Sequence, residues 1–257
     1  MSRRVLVINP GSTSTKVAVY DDEAPLFVQS LHHGAEQLSG FNHNTDQYPF
    51  RLACVLACLE EHGVGITSLS VVAGRGGILM PLASGTYHVR QNMLDELRRP
   101  GILDHASNLG APLAYELARR AGVAAFVVDP VAVDEFEEVA RISGLPEVPR
   151  LSLSHALNIK AIARLAARDL NTRYEDLNLL VVHLGGGISA TAHRRGRMID
   201  VNNATGGRPL LPRTRRHAAA ERLDRSVLFR PLQQGTDETP GRRLCRTHGA
   251  PGHQQHH

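Results

Sequence analysis

The stretch that decides the fold is Val5-Leu6-Val7-Ile8-Asn9-Pro10-Gly11-Ser12-Thr13-Ser14-Thr15-Lys16-Val17-Ala18-Val19-Tyr20. Its first four residues are a continuous apolar, mostly β-branched run, and a second apolar run follows Lys16. Two such runs joined by a segment rich in Gly, Ser and Thr are typical of a β-hairpin. The sequence therefore predicts a fold that begins with a hairpin whose turn carries many hydrogen-bond donors.

Outward from this hairpin, apolar periodicity predicts alternating strands and helices. The predicted helices cover residues 47–62, 91–99, 108–121 and 155–169, and the further strands cover 26–31, 70–73, 124–128, 179–184 and 188–192. The last two strands form a second hairpin around Gly185-Gly186-Gly187, about 175 residues after the first turn. This alternation indicates the α/β class. The repeated hairpin indicates two related domains, which we expect to face a shared cleft.

Composition excludes several classes of protein. The chain has 257 residues, of which 42% are hydrophobic, so it can bury one large core or two ordinary ones. No apolar run reaches the roughly 18–20 residues that a transmembrane helix needs. Three cysteines are too few for a disulfide framework, and Cys54 and Cys58 are interpreted as core thiols rather than a metal or redox site. We expect a reduced, cytoplasmic protein that does not bind membranes.

The basic residues are concentrated at the C-terminal end of the chain. The segment 207–257 holds ten Arg and four acidic residues, which leaves 19 basic and 21 acidic residues in 1–206. A nucleic-acid partner would rest on this segment alone, and its single aromatic side chain, Phe229, is not a platform on which bases could stack. Its scattered side chains Cys245, His248, His253, His256 and His257 have no pattern that would fix a metal site. Neither partner is expected.

The first turn has the composition of an anion site. Ser12, Ser14 and the backbone N–H groups around Gly11 can donate hydrogen bonds to an oxyanion, with Asn9 and Lys16 at the two strand ends. It is not a Walker loop, because Gly-Lys-Ser/Thr and a following helix are missing. A plain polar hairpin and, for Gly185–Gly187, a structural turn remain alternatives. Taken together, two such turns after buried strands favour a nucleotide-phosphate site.

The segment Val5–Lys16 resembles the opening signature of the acetokinase family, within the actin/hexokinase/Hsp70 superfamily. Later stretches resemble the butyrate kinase branch more than acetate kinase. They are Gly74–Gly77, Asp104–Gly110, Val128–Val131, Ser154–Asn158, His183–Ser189 and Ile199–Ala204. The resemblance covers residues 4–204 in order. It implies a two-domain actin-like ATPase fold with ribonuclease H-like domains, of which the second is incomplete here.

The resemblance also implies an activity: reversible phosphoryl transfer from ATP, with Mg²⁺, to butyrate or a close short-chain acid such as isobutyrate. It implies that Asn9, Ser12, Ser14 and Lys16 form the first phosphate turn and that His183 and Gly185, Gly186 and Gly187 form the second. It places Arg75 at the substrate carboxylate, Asp129 at the metal or nucleophile, and His105 and His155 near the transferred phosphoryl group. The alternatives are a solvated loop for Arg75, a structural cap for Asp129, and structural hydrogen bonding for the two histidines.

The resemblance ends between Ala204 and Pro209, before a Gly-Pro-Phe-Ser-Pro-Glu-Arg segment and an adenosine site that the family implies. Codons for 210–217 can be chosen so that reading one nucleotide later gives Phe-Ser-Pro-Glu-Arg-Gly-Gly, so a frameshift is our hypothesis. The expected domains are 1–150, 151–206 and a non-family, disordered or frameshifted segment 207–257. A catalytically inactive kinase remnant is the alternative function. The family implies a homo-oligomer, which the missing segment calls into question for this chain.

Overall fold

In the computed structural model the chain begins with the expected hairpin. The model describes residues 2–143, 147–185 and 187–202, and the backbone of 229–231. Strand β1 (Arg4–Pro10) pairs antiparallel with β2 (Ser14–Asp21), and β2 pairs antiparallel with β3 (Ala24–His32). Leu6 and Ile8 are fully buried because β1 lies inside the sheet.

The first sheet is completed by β4 (Val71–Arg75), β5 (Thr86–His88) and β6 (Ala124–Val128), in the order β3-β2-β1-β4-β6-β5. Strands β1, β4 and β6 run parallel, so they are joined by helical crossovers, whereas β5 pairs antiparallel with β6. The carboxyl ends of the three parallel strands therefore meet at one edge of the sheet.

Helices α1 (Ala35–Leu38), α2 (Tyr48–Glu61), α3 (Gln91–Leu97) and α4 (Gly110–Ala121) belong to the same unit. Helix α2 has a proline in its first turn and is followed by Gly63 at φ 65°, and α4 ends at Gly122 in the left-handed conformation. Residues 106–109 form a 3₁₀ turn, so α4 begins two residues later than the sequence predicts. The helices predicted from periodicity are thus confirmed, with small shifts at their ends.

The second unit is built on the second hairpin. It contains most of α5 (Ala156–Asp169) and the antiparallel strands β7 (Asn178–Leu184), β8 (Ile188–Arg194), β9 (Arg197–Asn202) and β10 (Phe229–Pro231), in the order β10-β7-β8-β9. β10 lies within the segment predicted to be foreign to the fold, and its backbone pairs with β7. The rest of that segment lies outside the described residues, and its origin stays a prediction.

Two compact units divide the chain: Met1–Glu135 with Leu151–Leu157, and Phe136–Arg150 with Asn158–His257. The domain limits expected from the sequence, at 150 and 206, stay predictions. The alternation of strands and helices confirms the α/β class. Among the helices of the described residues, none has both the length and the apolar character needed to cross a bilayer.

Candidate active site

The first turn presents backbone donors, although not the ones expected. The Gly11 N–H donates to the Ser14 carbonyl (2.8 Å), so it is used inside the turn. The carbonyls of Ser12 and Thr13 accept from the Arg51 side chain (3.1 Å) and from the His33 N–H (2.9 Å). Within the described part of the chain, the N–H groups of Ser12 and Thr13 have no acceptor. These two amides are the donors that an anion can use.

Side chains of the same turn surround these amides. Ser12 is exposed and Ser14 half-buried. Asn9 and Lys16 are register partners across β1 and β2, so both project from the same face of the hairpin. The structure therefore places the four predicted residues of the first turn within it or at the two strand ends beside it.

Arg75 reaches this turn from the neighbouring strand. Because β1 and β4 pair parallel with Ile8 opposite Gly74, Arg75 lies beside the end of β1. Its Nη1 lies 3.5 Å from Asn9 Oδ1 and 3.4 Å from the Pro10 carbonyl oxygen, to which it donates. Burial lowers the pKa of Arg75 from its usual value. The Arg75 guanidinium is thus half-buried beside the first turn, and its role at a substrate carboxylate stays a prediction.

Glycines around Arg75 allow three segments to pack against it. A Cβ at Gly110 would lie 2.0 Å from the Arg75 carbonyl oxygen, and one at Gly74 would lie 2.2 Å from the Gly110 carbonyl oxygen. A Cβ at Gly76 would lie 2.3 Å from Pro130. The first two residues of the Gly-Arg-Gly-Gly motif end β4. Its glycines permit close backbone approach to α4 and to the end of β6.

His105 lies just before the turn 106–109. Its Nδ1 accepts the Ser107 N–H at 3.2 Å and lies 2.7 Å from Ser107 Oγ. An accepting Nδ1 places the proton of the neutral ring on Nε2. Burial, and secondarily the charge of Arg75, lowers the pKa of His105. At neutral pH this side chain is therefore a neutral ring whose Nε2–H can donate.

Asp129 follows β6 and is 2% exposed. Its backbone has φ 40°, in the left-handed region that Asp and Asn adopt more readily than other residues with a Cβ. The carboxylate Oδ1 accepts from Ser84 Oγ at 2.5 Å and from the Gly85 N–H at 2.9 Å. These bonds show that Asp129 organises the loop before β5, and its role at a metal or nucleophile stays a prediction.

His155 is half-buried and directly precedes α5. The preceding residues are held to the chain that follows Asp129: Ser154 N–H donates to the Val131 carbonyl (3.1 Å) and Ser152 Oγ to the Val133 carbonyl (2.7 Å). The segment that carries His155 is therefore attached to the loop after β6. Its contact with a phosphoryl group stays a prediction.

The second turn, in its own unit, joins Leu184 to its register partner Ile188. The Asn158 amide donates to His183 Nδ1 at 3.0 Å, and a Cβ at Gly185 would lie 3.0 Å from His183 Nε2. Gly187 belongs to the turn, and Gly186 lies outside the described residues. The imidazole of His183 thus lies against the first glycine of the turn, where only a small residue leaves it unobstructed.

No group of three or more acidic, His or Cys side chains within the described residues could hold a metal. Cys54 and Cys58 are free thiols of α2, and burial raises the pKa of both. This agrees with their interpretation as core thiols.

The sequence interpretation missed one residue that the first turn depends on, Arg51. It lies on the apolar side of α2 with Val55 and Leu59, is 0% exposed, and contacts the turn directly. The sequence did carry a signal for it: Arg51 stands four residues before Val55 and eight before Leu59, so it lies on the same apolar face of the helix. Asn158, which contacts His183, lies in the resembling stretch Ser154–Asn158 but was given no role, and Ser84, which donates to Asp129, had no comparable signal.

No family model matches the chain. It is similar in structure to the acetate kinase of Porphyromonas gingivalis, with 18% identity, a TM-score of 0.59, and coverage of 79% of this chain and 57% of that one. The acetate kinase of Entamoeba histolytica (14%, 0.53, 78% and 55%) and a propionate kinase of Francisella tularensis (15%, 0.53, 79% and 57%) are also similar. The chain spans slightly more than half of their lengths. These similarities confirm the actin-like ATPase fold.

Proposed function

We propose that this chain carries the machinery of a carboxylate kinase, which transfers a phosphoryl group reversibly from ATP to butyrate or a close analogue such as isobutyrate. The observation that carries the proposal is the position of Arg75, 3.4–3.5 Å from the end of the first turn. The fold shared with acetate and propionate kinases supports the reaction class. The motif resemblance to the butyrate kinase branch supports the longer acid.

The donors of the first turn fit a phosphate group. The N–H groups of Ser12 and Thr13 lack acceptors in the described chain, and Lys16 supplies a positive charge. ATP supplies the phosphoryl group and Mg²⁺ neutralises its charge when both are bound. Mg²⁺ commonly uses one or two carboxylates, water and phosphate oxygens, so Asp129 as a single protein ligand, direct or through water, fits it. The second turn, at His183 and Gly185–Gly187, is assigned the same class of ligand.

Arg75 and His105 are assigned to the acid and the transferred group. A guanidinium can bind a carboxylate or phosphoryl oxygens with two parallel hydrogen bonds. The neutral His105 adds an Nε2–H donor without bringing a second full charge next to Arg75. Positioning and charge stabilisation of this kind account for most catalysis of phosphoryl transfer. Asp129 and His155 are assigned positions at the same edge of the first sheet.

The chain length of the acid, the cell compartment and the assembly state are parts of the proposal. One methylene or branch changes binding by only about 1–3 kcal/mol, so the preference between butyrate and isobutyrate depends on small differences in the substrate pocket. The free thiols of Cys54 and Cys58 support a reducing, cytoplasmic setting. We propose neither a nucleic-acid nor a membrane partner, and a homo-oligomer only as the family resemblance implies it.

The test is acyl-phosphate formation from ATP, Mg²⁺ and each of acetate, propionate, butyrate and isobutyrate, trapped with hydroxylamine. We expect turnover to be highest with a four-carbon acid. Arg75→Ala should lower kcat by about 100-fold or more, because it removes a donor that stabilises transferred charge. Arg119→Gln, an exposed position on α4, is the matched control and should keep full activity. Equal turnover by Arg75→Ala would refute its assignment.

A second candidate is a chain that binds phosphate anions without turnover. The observation in its favour is a difference between the two sheets. In the first unit β1 pairs with the parallel strand β4, whereas in the second unit β7 pairs with the antiparallel strand β10. The described part of the second sheet therefore has no parallel strand. Binding of ATP without acyl phosphate from any of the four acids would favour this candidate.

A further inference from the structure

Arg51 of α2 lies directly beneath the first turn and is 0% exposed. Its five N–H groups match five hydrogen bonds. Nη1 donates to the Ser14 carbonyl and Thr15 Oγ1 (both 2.9 Å), Nη2 to the Ser12 carbonyl (3.1 Å), and Nε and Nη2 to Gln47 Oε1 (2.9 and 2.7 Å). One side chain thus binds three acceptors of the turn at once.

These bonds determine which way the turn amides point. In a trans peptide the C=O and the following N–H point in opposite directions. Since the Ser12 carbonyl points at Arg51, the Thr13 N–H points away from it. The Thr13 carbonyl is likewise bound by the His33 N–H, so the Ser14 N–H points away from His33. The Thr13 N–H, directed away from Arg51, and the neighbouring Ser12 N–H, which has no acceptor in the described residues, are the two donors available to an anion.

The charge of Arg51 is not balanced by an acid. In the described part of the chain no carboxylate pairs with it, and all its acceptors are neutral. Burial accordingly lowers its pKa. A buried cation without a counter-ion is costly, and an anion held on the other side of the turn would offset that cost. The position of this charge therefore favours a phosphate above the turn.

We propose that Arg51 is a positioning residue for phosphate binding: its bond to the Ser12 carbonyl turns the Thr13 N–H toward a phosphoryl oxygen, and its bonds to the Ser14 carbonyl and the Thr15 hydroxyl hold the turn in that conformation. The inference rests on the proposed function for the identity of the ligand. A lysine cannot replace this arginine, because three donors on one nitrogen cannot reach the separate acceptors that the planar guanidinium spans.

The test compares the full 257-residue chain with Arg51→Lys, Arg51→Met and the control Arg4→Gln, whose arginine binds Asp21 at the other end of β1. Pyrophosphate is titrated while the amide NMR signals of Ser12 and Thr13 are followed. Hydrogen exchange of the Gly11 and His33 amides, which donate to turn carbonyls, reports the order of the turn. Circular dichroism confirms that each variant is folded.

We expect both Arg51 variants to bind pyrophosphate about 10-fold or more weakly and to exchange Gly11 and His33 faster, with Arg4→Gln unchanged. Full binding by Arg51→Lys would overturn the inference, since charge alone would suffice. Unchanged binding by Arg51→Met would overturn it even in an active kinase. Arg51-dependent pyrophosphate binding in a chain that forms no acyl phosphate would support the inference while refuting the proposed activity. If the unmodified chain does not bind pyrophosphate, both fail.

Discussion

The two hairpins, β1–β2 and β7–β8, each have a buried threonine, a buried histidine and a buried cation, but these groups lie at different places along the strands. In the first, Thr15 contacts His33 Nε2 (2.9 Å) and Arg51, whose guanidinium binds carbonyls of the turn between β1 and β2. In the second, Thr191 contacts His193 Nε2 (2.7 Å) and a buried lysine, Lys160, is nearby.

The two cations serve opposite ends of their hairpins. Arg51 binds carbonyls of the turn between β1 and β2, whereas Lys160 donates to the Gly196 carbonyl (3.2 Å), between β8 and β9. Within the first unit, the buried polar groups organise the turn that is proposed to bind phosphate. Within the second, they connect the strands, and the turn depends on glycine and on His183.

The largest expected effect is a difference in stability between two Gly-to-Ala variants, one in each unit. Gly110→Ala should destabilise the chain by about 3 kcal/mol or more, because its Cβ would meet the Arg75 carbonyl at 2.0 Å and backbone must move. Gly185→Ala should cost about 1 kcal/mol or less, because its Cβ would approach the movable His183 ring at 3.0 Å and the Gly187 carbonyl only at an ordinary contact distance of 3.7 Å. Urea unfolding measures both, with Gly40→Ala, which has open space around it, as the control. Equal costs would remove this difference between the units.

The next effect concerns pH. Burial, with the charge of Lys160, lowers the pKa of His193 from 6.5 to about 3. The unfolded chain then binds more protons than the folded one between these values, so stability present above pH 6.5 falls as the pH drops, by about 1.4 kcal/mol per pH unit. Urea unfolding between pH 7 and 5 should show this fall in stability, and His193→Gln should reduce it while the contribution of His105, whose pKa is also lowered, remains. An unchanged slope in the variant would assign the effect to other groups.

A smaller effect tests the two threonines as a matched pair. Thr15→Val and Thr191→Val should each cost about 1–2 kcal/mol of stability, since each removes a buried hydrogen-bonded hydroxyl. Only Thr15→Val should also weaken pyrophosphate binding, several-fold, because its hydroxyl accepts from Arg51. Calorimetric titration of both variants decides this, and equal weakening would contradict the distinct roles assigned to the two networks.

The smallest effect lies in the second turn. Asn158 donates to His183 Nδ1, which places the neutral ring's proton on Nε2. Asn158→Ala should remove about 1 kcal/mol of preference for that tautomer, which the ¹⁵N shifts of the His183 ring report. His105, held by Ser107 in the first unit, is the internal reference and should not change.

Much of the fold could be predicted from local pattern. The run Val5–Ile8 and the turn after it gave the first hairpin, and apolar periodicity gave α2 and α4 with errors of one or two residues. Strand β5 (Thr86–His88) was missed because three residues are too few for a pattern. Strand β9 (Arg197–Asn202) was missed because its polar residues interrupt the alternation.

The candidate site was predicted as a set of residue types but not as an arrangement. The spacing of Asn9 and Arg75 along the chain does not show that they meet, since this depends on the parallel register of β1 and β4. Arg51 was missed because a single Arg on a helix usually extends its charge to solvent. Its burial follows only from the packing of α2 beneath the turn.

By itself, the sequence determined the α/β class, the two hairpins and the chemistry available at their turns, because strand, turn and helix preferences act between neighbouring residues. The tertiary structure alone decided that Arg75 lies beside Asn9, that Gly110 touches β4, and that Arg51 directs the amides of the first turn. These are contacts between segments tens of residues apart. Sheet register and helix packing set them, and no local pattern encodes either one.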